Sequence, residues 1–463
     1  MDIESIKKVY ISGVGGIGVS AIARFFIDRG VEVEGSDCVK SEVTEDLARK
    51  GAQVHYEQKA ENVTFNNDLF VYSSAVPAEN EERQKAKELN LMQKSYFEMI
   101  GEISRKYNTI AVSGTNGKST STAMLAGILI NAEKDPTVIV GSHYEMLGAN
   151  FRAGKSDTFL VEACEYRAHM LLLQPNCIIL TNIEEDHLDF FKDINHIVQT
   201  FQQYINSLKS EDDILIYNND DVNIREMQKP KCKKVSFGLI HGADVWANKI
   251  HKAPGKQVFE IVAYGQSLGQ FELNIPGDIN IYNALAAISY ALSQDIPVGV
   301  IREGIKQYTG IWRRFEIVKN DKFTVVSDYA HHPTSVKSTI EATKEFFPGR
   351  RLIAVFQPHQ QDRTKKMFDE FLTSFDKANI VVLSEIYDVT GREDGETKIS
   401  SKDMALAMGD DDPIKEIHYV DSIDDTLLKI NNMVQEDDVV LIMGAGNIYK
   451  IADQIVLKEK VSD

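Results

Sequence analysis

Apolar and polar residues alternate along the chain in the order that β/α folds require. Short apolar runs of strand length, such as "KKVYISG", precede stretches with apolar residues every three to four positions, such as "GVSAIARFFIDRG". Gly30 closes that second stretch, where a helix C-terminus favours glycine. We therefore predict parallel sheets with helices packed on their faces.

Three segments of this kind follow one another. A helical pattern over residues 95–106 ends before a new strand, "TIAVSG", and a third set of strands follows "GIWRRFEIV". A polar, β-rich stretch over residues 233–275 interrupts the second set. We predict an α/β protein of three domains, over residues 1–107, 108–313 and 314–463.

Composition narrows the class of protein. A chain of 463 residues is too long for one hydrophobic core. Its formal net charge of −18 argues against a general binder of nucleic acid or of anionic membranes. The sequence has no signal-peptide pattern and no apolar run long enough to span a bilayer, and its four cysteines form no CxxC pair. We expect a cytoplasmic enzyme with free thiols.

The first glycine loop has the spacing of a dinucleotide fingerprint. Gly13, Gly15 and Gly18 form GxGxxG between a strand and a helix, and Asp37 ends the next strand. Glycine lets a backbone approach a pyrophosphate, and the helix N-terminus supplies free N–H groups. The alternative is a tight turn without a ligand. The pattern predicts a diphosphate and a ribose without identifying the nucleotide.

A second phosphate loop opens the second segment. "GTNGKST" lies between a strand and a helix, although Val112 stands where the commonest form of the motif has glycine. Lys118 would neutralise phosphate charge and Ser119 would bind Mg²⁺. One phosphate loop in each of two consecutive domains predicts two phosphorylated ligands.

Acidic and imidazole groups follow two strands of the same segment. Glu162 ends "FLVE" and His187 follows "IILTNIEED". Ligands of open α/β sheets bind at such strand ends, so both residues are candidates for divalent-metal ligation. The alternative is an exposed acidic cluster around His187.

The third segment offers further cations and histidines at strand ends. Arg313 and Arg314 are adjacent at a predicted domain junction, where arginine suits phosphoryl oxygens, although Arg313 could instead form an interdomain salt bridge. The strand-end groups that follow are Asp328, Tyr329, His331, His332, His359 and Arg363.

These motifs together resemble one family. "GVGGIGVSAIA", "GSD", "GTNGKST", "EACEY", "TNIEEDHLD", "NIYNALAA", "RRFE", "DYAHHP" and "FQPH" occur in the order found in the Mur ligases, ATP-dependent amide-forming enzymes of peptidoglycan synthesis. A short Gly-x-x-Gly-Lys-Ser/Thr loop is that family's form. The resemblance implies a Rossmann-like N-terminal domain for a UDP-sugar, a P-loop ATPase central domain and a Rossmann-like C-terminal domain.

Within the family the chain is most similar to the alanine-adding members. This resemblance implies ATP-dependent joining of L-alanine to the lactyl carboxylate of UDP-N-acetylmuramate through an acyl phosphate, with Mg²⁺ required and ADP and phosphate released. The partners would be these two substrates, with no nucleic acid and no membrane, and the chain would be a monomer or weak homodimer.

The resemblance also assigns residues. Those expected at the UDP-sugar are Gly13, Gly15, Gly16, Ile17, Gly18, Ser36, Asp37 and Ser74. Those expected at ATP are Gly114, Thr115, Asn116, Gly117, Lys118, Ser119, Thr120, Asn280, Asn283, Arg314, Asp328 and His332. Magnesium ligands would be Ser119, Glu162 and His187, and the catalytic set Lys118, Glu162, His187, Arg314 and Asp328. Tyr329, His359 and Arg363 would meet the amino acid and the muramoyl group.

Four positions depart from the alanine-adding pattern, namely Asn116, Cys164, Ile279 and Gln360, where His, Asp, His and Arg are frequent. Three competing functions therefore stay open: a recycling ligase that attaches a tripeptide to the same sugar nucleotide, a nicotinamide-dependent oxidoreductase, and a non-catalytic UDP-sugar sensor.

Overall fold

The chain forms two compact units. A computed structural model describes residues 2–187, 190–387, 399–411 and 415–456, so residues 388–398, 412–414 and 457–463 of the predicted third domain lie outside the described residues. The first unit comprises Met1–Asn248, Ile261–Gly269 and Tyr282–Ile305, and the second comprises Lys249–Glu260, Gln270–Ile281 and Lys306–Asp463.

The first sheet of unit one is a five-stranded parallel sheet. Its strands are β1 (Lys8–Ser12), β2 (Glu32–Ser36), β3 (Gln53–His55), β4 (Leu69–Tyr72) and β5 (Met92–Ser95), in the order β3-β2-β1-β4-β5. Its helices are α1 (Ile17–Asp28), α2 (Glu42–Arg49), α3 (Glu81–Glu88) and α4 (Tyr96–Ser104). Gly30 has φ +72°, as predicted for the glycine that ends α1.

A second sheet begins in unit one. Its strands are β6 (Asn108–Ser113), β7 (Thr137–Tyr144), β8 (Ala149–Arg152), β9 (Thr158–Glu162), β10 (Cys177–Leu180), β11 (Ile214–Asn218), β12 (Lys233–Gly238), β13 (Val245–Ala253), β14 (Lys256–Ala263) and β15 (Gln266–Leu273). The order is β15-β14-β13-β12-β11-β10-β6-β9-β7-β8, and β13, β14 and β15 each pass through both units. The predicted β-rich stretch is confirmed as β12–β15, whereas the antiparallel β7–β8 pair was not predicted. The helices are α5 (Lys118–Asn131), α6 (Ile194–Ile205), α7 (Val222–Glu226), α8 (Asp278–Ser293) and α9 (Val298–Lys306).

Unit two contains the third sheet. Its strands are β16 (Glu316–Asn320), β17 (Thr324–Asp328), β18 (Leu352–Phe356), β19 (Ile380–Ser384), β20 (Glu416–Val420) and β21 (Val439–Met443), in the order β16-β17-β21-β18-β19-β20. Only β16 pairs antiparallel among these described strands. The helices are α10 (Pro333–Phe346), α11 (Gln361–Lys366), α12 (Phe368–Leu372), α13 (Ser401–Asp411) and α14 (Ile423–Met433).

Five short 3₁₀ segments complete the described secondary structure, and one of them lies at the candidate site. They are Ile3–Ser5, Ala60–Asn62, Glu145–Leu147, Tyr166–Leu172 and Ile448–Gln454. The segment Tyr166–Leu172 joins two turns across a kink, where Arg167 and Ala168 have left-handed backbone angles.

The cores follow the apolar pattern of the sequence. In unit one, one large hydrophobic cluster includes strands and helices of both sheets, with Phe25 of α1 edge-on to Phe151 of β8, and a smaller cluster surrounds Tyr10 and Phe70 of the first sheet. Unit two has one cluster on each face of its sheet, as expected for parallel strands covered by helices on both sides. None of the described helices is long and apolar enough to cross a bilayer.

Candidate active site

The first glycine loop is closed by contacts from the end of β2. Gly13, with φ +77°, and Val14 both donate their N–H groups to the Ser36 carbonyl, at 2.8 and 2.9 Å. Gly15 donates its N–H to Asp37 Oδ2 at 2.9 Å. A side chain at Gly15 would place Cβ 2.8 Å from that oxygen, so Asp37 would have to shift away from the loop. The structure thus places Asp37 at this loop, and its contact with a sugar nucleotide stays a prediction.

The rest of the loop forms the start of α1. Gly16 caps the helix in an extended conformation, and Ile17 and Gly18 begin its first turn. Free N–H groups and the positive end of the helix dipole make such a terminus suitable for an anion. Gly18 lies against the ring of Tyr96, which a Cβ would approach to 2.9 Å. The sequence analysis did not identify Tyr96.

A buried carboxylate lies beneath the same sheet edge. Glu82 is fully buried and accepts hydrogen bonds from Tyr10 Oη, Ser12 Oγ and Ser36 Oγ, each at 2.6 Å. The Ser36 hydroxyl therefore points into the protein. The group of Ser36 that contacts the glycine loop is its backbone carbonyl. Ser74 is exposed just beyond β4.

The second loop connects β6 to α5 and needs both of its glycines. Gly114 has φ +138° and Gly117 has φ +83°. A Cβ on Gly114 would overlap Thr181 Oγ1, and one on Gly117 would overlap Asn283 Oδ1. The predicted Asn283 thus lies directly against the phosphate loop. Met124, Leu125, Ile128 and Leu129 of α5 are buried, as predicted for a core-facing helix.

Neighbouring residues hold the loop in shape. The Asn116 N–H donates to Asn182 Oδ1 at 2.8 Å, and the Thr115 N–H donates to the Asn182 carbonyl at 3.0 Å. The Asn116 side chain, one of the four departures, donates Nδ2–H to Glu184 Oε2 at 3.0 Å. Asn182 was missed because nothing in "LTNIEED" marks which polar residue turns back to the loop.

Lys118 is held by four oxygens. Its Nζ donates to the carbonyls of Gly114 and Thr115, at 2.7 and 2.9 Å, and lies 3.0 and 2.8 Å from the two carboxylate oxygens of Glu165. Glu165 is 2% exposed. The sequence analysis missed Glu165, although the second acid of "EACE" was a signal.

Two of the three predicted magnesium ligands, Ser119 and Glu162, are in contact. Ser119 Oγ donates to Glu162 Oε2 at 2.7 Å, and the Gly141 N–H donates to the same oxygen at 2.8 Å. Thr120, the next residue of the loop, is buried at the start of α5. A hydroxyl and a carboxylate beside a phosphate loop are hard oxygen donors, so these residues fit Mg²⁺.

His187 lies on the other side of Glu165. Its Nε2 is 3.6 Å from Glu165 Oε1 and 3.8 Å from Asp186 Oδ2, and its backbone has φ +53°. The nearby Glu165 carboxylate stabilises the imidazolium and raises the pKa of His187. Burial opposes ionisation of Glu165, but Lys118 and His187 outweigh it and hold the pKa of that carboxyl below its usual range. One atom from each of Glu165, Asp186 and His187 lies within 4.8 Å of the others, a donor set that also fits a metal ion.

Two further departures, Cys164 and Ile279, lie in different surroundings. Burial raises the pKa of the Cys164 thiol to about 11, so this residue stays protonated at neutral pH. Ile279 is half exposed in the first turn of α8, next to Asn280, whose Nδ2 donates to the Pro276 carbonyl at 2.6 Å.

In unit two, the adjacent arginines have different environments. Arg313 is buried, contacts the rings of Tyr329 and Tyr449, and donates Nη2–H to the carbonyls of Gly444 and Gly446. The described hydrogen-bond acceptors of the Arg313 guanidinium are thus backbone carbonyls. The sequence had left an interdomain salt bridge as the alternative for this residue. Arg314 is exposed, as a ligand-binding arginine requires.

The remaining predicted residues of unit two gather at the C-terminal ends of β17 and β18. Asp328 accepts N–H groups from Phe315 and Ala330, at 2.7 and 2.8 Å, and burial raises its pKa. Tyr329 is exposed, His332 caps α10, His359 stacks on Tyr387 with centroids 5.6 Å apart, and Arg363 is in α11. The departing residue Gln360 has φ +69° and donates its N–H to the Tyr387 carbonyl at 3.0 Å.

Comparisons with known proteins agree with this arrangement. Residues 8–108, 112–291 and 313–446 match the models of the Mur ligase family catalytic domain, the Mur ligase middle domain and the Mur ligase glutamate ligase domain. The UDP-N-acetylmuramate–L-alanine ligase of Clostridium novyi is 38% identical over 460 residues, 98% of each chain.

Solved structures share the fold. The UDP-N-acetylmuramate–alanine ligase of Thermotoga maritima has a TM-score of 0.81 at 24% identity, covering 97% of this chain and 98% of its own. A murein peptide ligase of Psychrobacter arcticus has a TM-score of 0.69 at 22% identity, with the same coverage. The predicted three-domain α/β architecture is confirmed, whereas the domain boundaries stay predictions. The chain belongs to the Mur ligase family.

Proposed function

We propose that this protein joins L-alanine to the lactyl carboxylate of UDP-N-acetylmuramate at the expense of ATP. The observation that carries the proposal is the pairing of Lys118 with Glu165 and of Ser119 with Glu162 on one phosphate loop. The similarity to a full-length alanine-adding ligase supports the choice of substrates. The nucleotide substrates of the proposed reaction also support a cytoplasmic location for this protein.

The roles of the residues follow from their contacts. A γ-phosphate can replace the Glu165 carboxylate at Lys118, which then neutralises charge as phosphate moves to the lactyl oxygen. Magnesium, bound by Ser119 and Glu162 with His187 nearby, would neutralise further phosphate charge. We propose Arg314 and Asp328 as further catalytic residues, and Asn280, Asn283 and His332 as residues that bind the nucleotide.

The second step of the reaction, attack by the amino acid, is proposed to use residues of the C-terminal domain. A carboxylate is a poor electrophile with a poor leaving group, so converting it to an acyl phosphate lets the alanine amine attack and expel phosphate. We propose Tyr329, His359 and Arg363 as the residues that meet the amino acid and the muramoyl group. The glycine loop and Asp37 would hold the UDP portion.

An ADP-release assay tests the proposal. We expect release only when UDP-N-acetylmuramate, Mg²⁺ and L-alanine are all present, and equal release without the sugar nucleotide would refute it. Replacing L-alanine with the free tripeptide as the amine acceptor tests the recycling ligase. Lys118→Ala should reduce turnover at least 100-fold and leave UDP-sugar binding near normal, because the glycine loop is untouched. Lys134→Ala, an exposed lysine just beyond α5, is the matched control.

An oxidoreductase and a UDP-sugar sensor would behave differently from a ligase. Family membership favours a ligase over an oxidoreductase, and tight NADH binding in a fluorescence titration would support the oxidoreductase. A non-catalytic UDP-sugar sensor would bind UDP-N-acetylmuramate without releasing ADP under any combination of substrates.

A further inference from the structure

The segment Glu165–His169 connects the two nucleotide-binding loops of unit one. At one end Glu165 pairs with Lys118 of the phosphate loop, at 2.8 Å. At the other end the His169 ring stacks on Phe97 with centroids 3.7 Å apart and planes 14° apart. Phe97 in turn lies 4.8 Å from the ring of Tyr96, which packs on Gly18 of the glycine loop.

This segment has an unusual backbone. Arg167 has φ +50° and ψ +26°, and Ala168 has φ +58° and ψ +26°. Two consecutive non-glycine residues in the left-handed region are strained, and such strain persists where the surroundings hold it. The surroundings here are the hydrogen bonds from Ala168 N–H to the Glu165 carbonyl, at 2.8 Å, and from Met170 N–H to the Cys164 carbonyl, at 2.9 Å.

The strained backbone presents an exposed arginine, Arg167. Arg167 is exposed, its guanidinium lies 5.3 Å from the centre of the Tyr166 ring, and within the described part of the chain no carboxylate pairs with it. Carboxylates are nevertheless abundant in this protein, whose formal net charge is −18. An arginine that is held in place and has no counter-charge among the described residues is suited to an anionic ligand.

The reaction requires an anion at this place. If the diphosphate of the sugar nucleotide binds the glycine loop and ATP binds the phosphate loop, the lactyl carboxylate must lie between them, within about 3.5 Å of the γ-phosphate. The carboxylate and the phosphate repel each other unless a cation lies beside them. The segment that contains Arg167 connects those two loops.

We propose that Arg167 binds the lactyl carboxylate of the sugar nucleotide and selects for substrates that have one. The assignment rests on the proposed function. It makes Arg167 a substrate-specificity residue, separate from the groups that hold the nucleotide phosphates.

Two ligands that differ only in the lactyl group test the proposal. UDP-N-acetylglucosamine shares the uridine, the diphosphate and the acetylated sugar of UDP-N-acetylmuramate but lacks the lactyl carboxylate. Equilibrium titration of Arg167→Gly should show UDP-N-acetylmuramate binding weakened roughly 10- to 100-fold, and UDP-N-acetylglucosamine binding changed by less than about twofold. Glycine tolerates the positive φ, so this variant removes the guanidinium without adding strain.

Companion variants keep the outcome interpretable. Arg167→Lys should recover part of the lost affinity because it keeps the charge but not the two-pronged hydrogen bonding. Arg49→Ala, an exposed arginine of α2, should behave as the wild type for both ligands. The affinity for UDP-N-acetylglucosamine also reports whether each variant is folded.

The results that would overturn the proposal are distinct from those that would overturn the function. Equal weakening of both ligands would place Arg167 at the diphosphate or in the loop structure, and no weakening would remove it from the site. Either result, with normal ADP release by the wild type, refutes only the role of Arg167. A wild type that binds neither ligand, or that releases no ADP, refutes the proposed function and this role with it.

Discussion

Glu165→Gln tests the contact that holds the phosphate loop in its ligand-free form. The change removes a charge and keeps the shape of the side chain. The Lys118 and Glu165 side chains are only 13% and 3% exposed, so the pair is largely shielded from water. Removing one partner of a buried ion pair costs about 3–5 kcal/mol. Lys118 keeps two carbonyl acceptors, so we expect a loss of about 2–3 kcal/mol in the free energy of unfolding.

The nucleotide should reverse part of that loss. In the wild type, Lys118 must leave Glu165 to bind a phosphate, whereas in the variant it has no carboxylate to leave. Urea unfolding with and without saturating ADP, in EDTA, measures both quantities. We expect ADP to stabilise Glu165→Gln more than the wild type, because phosphate then supplies the missing counter-charge.

A matched control separates this effect from a general loss of charge. Glu211→Gln changes an exposed carboxylate and should alter stability by less than about 0.5 kcal/mol. A Glu165→Gln variant within about 0.5 kcal/mol of the wild type would contradict the importance of the pair. A stability gap that ADP leaves unchanged would contradict the exchange of carboxylate for phosphate.

The loss of stability in Glu165→Gln should depend on pH. His187 has a raised pKa in the folded protein, so its contribution is complete below the unfolded value of about 6.5 and is lost as pH rises through the folded value. Glu165 has a lowered pKa, so its contribution is present above about 4.3 and is lost as pH falls through the folded value. The difference in the free energy of unfolding between the wild type and Glu165→Gln should therefore pass through a maximum and decrease at both lower and higher pH. A gap that stays constant from about pH 6 to 9 would refute the contribution of His187.

Two further substitutions test the geometry of unit one. Burial lowers the pKa of His169 to about 4. The free energy of unfolding of the wild type should therefore decrease as pH falls from about 6.5 towards 4. His169→Phe keeps the stack on Phe97 and should lack that decrease in urea titrations. Gly117→Ala should abolish measurable ATP binding because its Cβ would overlap Asn283. Gly30 also has a positive φ, but the space around it is open. Gly30→Ala should therefore cost about 1 kcal/mol of stability and leave ATP affinity unchanged.

The sequence predicted most of the framework because the framework is periodic. Strand-length apolar runs located the principal strands, and glycine spacing located both phosphate loops. The parallel topology then placed Glu162 and His187 near the same sheet edge. The β7–β8 pair was not predicted because neither strand shows a clear alternation of apolar and polar residues.

The remaining parts of the site depend on contacts between distant residues. Glu82 belongs to the charged stretch "NEERQ", which indicates a solvent-exposed helix, yet it is buried under three hydroxyls. Arg313 and Arg314 are neighbours in sequence, and no periodic pattern shows that Arg313 turns inward while Arg314 stays exposed. The partner of Lys118 likewise lies 47 residues away, at Glu165.

The most direct test of the central claim follows an oxygen atom. UDP-N-acetylmuramate labelled with ¹⁸O in the lactyl carboxylate is incubated with the protein, ATP, Mg²⁺ and L-alanine, and the released phosphate is analysed by mass spectrometry. Transfer of phosphate to the carboxylate followed by attack of the amine predicts one ¹⁸O atom in the phosphate and one in the new amide. Phosphate without ¹⁸O, alongside formation of the amide, would contradict the acyl-phosphate route.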